Sequence, residues 1–146
     1  MFRNLLSRLL DAAQPAPLSA QDAEVAIAAL LVRIARSDGS YDPAEIVRID
    51  RIVAARYGLS PFEASRLRGE AEALEAEAPD TVRFTRAIKD AVPYDERLGV
   101  VESLWQVVLA DGERAQEEDA LLRLVASLLG VSDVDSARSR QRAAQT

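Results

Sequence analysis

The chain has 146 residues, a mass of 15.9 kDa and a net charge of −6, a size that suits one domain around one core. It contains no cysteine and no histidine, which excludes disulfides, thiolate and imidazole metal ligands, a thiol nucleophile and the usual imidazole base, so any metal site must be made of oxygen. With 49% apolar but only 5% aromatic residues the core is expected to be aliphatic and helical, and the acidic balance argues against nucleic acid as a partner.

At the start of the chain Phe2, Leu5, Leu6, Leu9 and Leu10 fall on one face of a short amphipathic helix. Such a face needs a surface to lie on: the body of the same domain, a partner, or a membrane, for which Arg3 and Arg8 would suit the headgroups. The segment is too short and too polar for a signal peptide, and no apolar run reaches the roughly 18 residues that span a bilayer. A cytoplasmic protein is therefore expected, with peripheral membrane attachment as the variant.

Gln14 to Pro17 reads as a linker, so residues 1–18 are set apart from a helical domain over 19–135. Ser19 and Asp22 form a helix start, and the run from Val25 to Ala35, interrupted only by Arg33, predicts the most buried helix of the first half. Asp38-Gly39 ends it. Asp42, Pro43 and Glu45 then occupy the N-cap, N1 and N3 positions of a helix carrying Ile46, Ile49, Ile52, Val53 and Tyr57, which Gly58 stops. Ser60-Pro61-Phe62-Glu63 repeats this start, and the following glutamates Glu70, Glu72, Glu75 and Glu77 predict a solvated face or turn.

Pro79-Asp80 opens a fifth helix with Val82, Phe84, Ala87 and Ile88 as packing positions. A sixth is predicted from Tyr94 to Ala110, with Leu98, Val101, Leu104, Trp105, Val108 and Leu109 inward, so that core packing is the reading for Trp105. A seventh, from Gln116 to Leu129, carries Leu121, Leu122, Leu124, Val125 and Leu128. Ser132 starts a last helix, and 136–146, with Arg138, Arg140 and Arg142, is expected to be a basic, frayed and solvated helix or tail. No segment alternates as a strand would.

One segment occurs twice: an apolar helical run, Asp-Gly, a glutamate seven residues after the aspartate, and a second apolar run closed by glycine. Asp38, Gly39, Glu45 and Gly58 align with Asp111, Gly112, Glu118 and Gly130. Two such hairpins, each unable to bury its apolar face alone, predict an all-α fold: a single compact bundle of about seven to eight helices built on two pseudo-repeated helical hairpins. Paired carboxylates at equivalent junctions are also the oxygen clusters that hold hard cations. The spacing matches the second half of an EF-hand loop, but Ile34 and Arg36, or Val107 and Leu109, stand where its earlier ligands belong, so an EF-hand is not expected. Asp42 with Glu45 equally makes a capping box, whereas Glu118 stands without that partner because Ala115 occupies the matching position. At the level of sequence both readings stand.

The strings from Ala35 to Glu45 and from Val108 to Glu118 resemble the paired acidic signatures of the TerB-like tellurite-resistance family, over roughly Ala20 to Asp135. The resemblance implies a compact all-α, divalent-metal-binding module, related to the domain that precedes the J-domain in one class of membrane-anchored co-chaperones. Carried over by position it nominates Asp38, Asp42, Glu45, Asp111 and Glu118 as metal ligands, for Ca²⁺ or Mg²⁺, in a tellurite- or stress-response setting. The alternative is an acidic protein-interaction adaptor without metal, whose partners are other proteins, including membrane-associated ones. An enzyme is not expected, since the chain offers no phosphate-binding glycine loop, no zinc motif and no nucleophile signature.

Overall fold

The structure is a computed structural model and describes residues 19–37, 39–78, 80–110 and 116–145, without the side chains of 116–118. The expected amphipathic segment and linker of residues 1–18 lie outside it. Seven helices are present among the described residues and no strand: α1 (Ala20–Arg36), α2 (Pro43–Tyr57), α3 (Pro61–Glu77), α4 (Thr81–Ala91), α5 (Tyr94–Val108), α6 (Gln116–Leu128) and α7 (Asp133–Ala144). None of them is long and apolar enough to cross a membrane.

Local chemistry sets the boundaries. Ser19, Ser60, Asp80 and Ser132 each accept a hydrogen bond from the backbone N–H three residues on, satisfying a donor that the first helical turn leaves open. At Ser60 the box is complete, because Glu63 also accepts from the Ser60 N–H at 2.9 Å. Gly58 closes α2 at φ 65°, a left-handed conformation that residues with a Cβ rarely adopt, and lets the Leu59 N–H reach back to the Ala54 carbonyl.

Helix α1 is the centre of the molecule. From Val25 to Ala35 only Arg33 escapes full burial, and the helix packs most extensively on α3, then on α5, with further contacts to α2, α4 and α6. A helix apolar all round must be surrounded, and this one is. The two helices that precede the Asp-Gly junctions, α1 and α5, pack on each other, and each packs most extensively on the helix two elements further along, α3 and α7. The all-helical, single-bundle expectation holds.

Individual positions differ from expectation where a stripe runs one residue to the side. Val82 is 47% exposed because α4 buries Phe84, Thr85 and Ile88, and Leu124 is 50% exposed because α6 buries Leu122, Val125 and Ala126. The basic stretch after Asp135 is helical to Ala144 and lies on α5 through Ser136, Ser139 and Ala143. Small side chains allow that close approach. Trp105 is buried as expected, with its indole N–H donating to Ser136 at 3.2 Å and Arg140 over its ring.

Candidate metal centre at the helix junctions

The first junction leaves α1 through Ser37, whose hydroxyl donates to the Ile34 carbonyl at 2.7 Å, and turns at Gly39, whose φ of 82° requires glycine. Asp42 then starts α2, with Pro43 at the first helical position. The Asp42 N–H donates to Glu45 Oε1 at 3.1 Å. The Glu45 N–H faces the Asp42 side chain in turn, which completes a capping box. Glu45 is only 1% exposed, the one carboxylate among the fully buried large side chains of the described residues.

A network of charges ties this junction to α3. Arg33 and Arg36 both pair with Glu75, at 3.2 and 3.0 Å, and Arg68 pairs with Asp50 and Glu72, at 2.6 and 3.0 Å. Tyr41 donates its hydroxyl to Glu72 at 2.8 Å and lies under the Arg36 guanidinium. Burial, and then the Glu72 carboxylate, push the Tyr41 phenol far above its ordinary range, so it stays a donor. For Arg68 burial alone would weaken the charged form, but the hydrogen bonds to Asp50 and Glu72 outweigh it and raise its pKa. Glu72 and Glu75 are thus not the solvated face that their spacing predicts. The signal was Arg33: a cation inside an apolar run must meet an anion, and the glutamates of α3 were the acids in reach.

These ion pairs engage three carboxylates, of Asp50, Glu72 and Glu75, with three guanidinium groups, of Arg33, Arg36 and Arg68.

The second junction leaves α5 through Leu109 and Ala110, whose N–H groups still bond back to Trp105 and Val107. Asp111 lies outside the described residues, as does Asp38 in the first junction, and Glu118 falls within α6 but its side chain is not described. What the fold does bring together is the approach to each. Pro43 and Ala44, the residues just after Asp42, and Ala110, the residue just before Asp111, line one shallow depression together with Val47, Arg48 and Arg51. The start of α2 and the residue that follows the end of α5 by two positions therefore border one hollow. The donors that the two Asp-Gly junctions carry are carboxylate oxygens, which fit a hard cation such as Ca²⁺ or Mg²⁺ and not a soft one. Among the described residues no three acids converge as a ready-made cluster.

A family model described as tellurite resistance protein TerB matches residues 24–141. The chain belongs to the TerB family. The match begins inside α1 and ends inside α7, so the TerB domain spans both Asp-Gly segments in sequence, all of α3 and most of α7. It also carries most of the arginine-rich segment after Asp135 as part of the domain. Comparisons with curated proteins and with solved structures give no match.

Proposed function

We propose that this TerB-family chain is a non-enzymatic helical module that binds a divalent cation, Ca²⁺ or Mg²⁺, through carboxylates at its two Asp-Gly junctions, in a cytoplasmic tellurite- or stress-response setting. The observation that supports the reading is the shared depression of Pro43, Ala44 and Ala110, residues that neighbour Asp42 and Asp111 in sequence. Asp42 and Glu45 are the ligands on the described side, with Asp38, Asp111 and Glu118 nominated by position. The buried Glu45 carboxylate supports the same reading, because a carboxylate withdrawn from water is stabilised by a nearby cation.

Calorimetric titration of metal-free protein tests it, alongside thermal melts. Binding to the folded state alone must raise Tm, so heat uptake or release and a shift at millimolar Ca²⁺ or Mg²⁺ are expected, and their absence overturns the reading. Glu45→Gln is the informative variant. Glutamine can still accept from the Asp42 N–H and keep the capping arm, but it lacks the charge. Lost cation response with an unchanged metal-free Tm assigns Glu45 to coordination; an intact cation response in Glu45→Gln, with a metal-free Tm lowered only in Glu45→Ala, assigns it to capping.

A second reading, an acidic protein-interaction domain without metal, is favoured by the capping box itself, which already employs Asp42 and Glu45. Partner binding that is insensitive to chelator would select it.

A further inference from the structure

We propose that the outer face of α2 docks a partner protein through an acidic segment that bears an apolar side chain. Ala44, Val47, Arg48 and Arg51 follow one another at helical spacing, so they form a single stripe, and Val47 is 48% exposed on it. With Pro43 and Ala110 they line a depression whose lining is apolar apart from Arg48 and Arg51.

Charge complementarity chooses the occupant. Arg33, Arg36, Arg66, Arg68, Arg83 and Arg142 each meet a carboxylate within the chain. Arg48 and Arg51 have no hydrogen bond or ion pair among the described residues. The acids of α2 do not offset them: Glu45 is buried in the first turn and Asp50 is held by Arg68 at 2.6 Å. Among the described residues, a chain of net charge −6 thus presents one helix face with two guanidinium groups and no carboxylate. A carboxylate takes a guanidinium in a paired, planar geometry, and a Leu- or Val-sized side chain between two acids would fill the hollow of Ala44, Val47 and Ala110. A basic segment, including residues 1–10 with Arg3 and Arg8, would be repelled.

The proposal does not depend on the cation reading, and titrations in EDTA keep the two apart. A fluorescein-labelled amphipathic Leu/Glu peptide is the probe, followed by fluorescence anisotropy. Saturable binding is expected, weakened about tenfold or more by Arg48→Glu/Arg51→Glu, reduced by Val47→Ser, and nearly unchanged by Arg138→Glu, an exposed arginine on α7. Far-UV CD melts check that the variants fold; if the charge reversal does not, Arg48→Gln/Arg51→Gln takes its place. Equal weakening by Arg138→Glu would reduce the effect to overall charge and overturn the proposal, as would no saturable binding. Binding to phosphatidylserine vesicles that needs Arg48 and Arg51, without peptide binding, would overturn it in favour of a membrane surface.

Discussion

Glu63 and Glu45 occupy the same N3 register of successive helices, yet they sit in different surroundings. Glu63 is in solvent and accepts from the Ser60 N–H while the Ser60 hydroxyl accepts from its own amide. The Ser60 N–H, and then its hydroxyl, hold the Glu63 carboxyl below its ordinary value of 4.5. A group whose pKa falls on folding contributes stability that is fully present above its unfolded value and lost as pH falls through the folded one. Glu63→Gln should therefore lower Tm somewhat at neutral pH, where the ionised carboxylate contributes, and flatten the decline below about pH 4.5 so that the two proteins converge in acid, as measured by CD melts across pH. An acid limb as steep as that of the unsubstituted protein would show that Glu63 has no part in it. Glu45, buried under the turn of the first junction, is the residue for which charge and capping must be separated by titration rather than by pH alone.

At the scale of elements, α3 shows how ion pairs of the same type differ in weight. Arg66 and Glu70 lie on its exposed side, 3.8 Å apart, whereas the side chains of Arg33 and Glu75 are 13% and 14% exposed. Removing an exposed pair changes stability by roughly 0.5 kcal/mol or less. Glu75→Ala leaves Arg33 under-compensated between α1 and α4, where it also lies 5.0 Å over the Phe84 ring, and should cost about 1–3 kcal/mol. Urea titration of Glu75→Ala beside Glu70→Ala checks the difference, and equal losses would refute it. This pairing was only half legible in the sequence. Caps and stops depend on neighbours within four residues, so Ser19, Asp42, Gly58, Ser60 and Ser132 could be read directly. The Arg33 to Glu75 pair spans 42 residues of chain, and a glutamate-rich stretch looks solvated until the helix carrying its counter-charges is laid against it.

At the scale of the whole molecule, α1 and α5 form the central pair, with α3 and α7 laid on them. Leu31 is fully buried in α1 and Trp105 reports from the far side, between α5 and α7. If the bundle melts as one unit, far-UV CD and Trp105 fluorescence follow the same transition, and Leu31→Ala lowers both midpoints together by a loss of about 2–5 kcal/mol. A Trp105 transition that stays in place while the CD midpoint falls would separate the halves. Pattern and local chemistry were enough to establish the helices, their stops and the acid-bearing junctions, because a 3.6-residue period and a cap are decided by residues close in sequence. The same residues carried the family resemblance. Only the tertiary structure decided that Pro43 and Ala44 share a hollow with Ala110, that the α3 glutamates are counter-ions, and that Arg48 and Arg51 have none among the described residues. Those facts depend on which helix faces meet, and that is set by packing between segments tens of residues apart, where no spacing rule reaches.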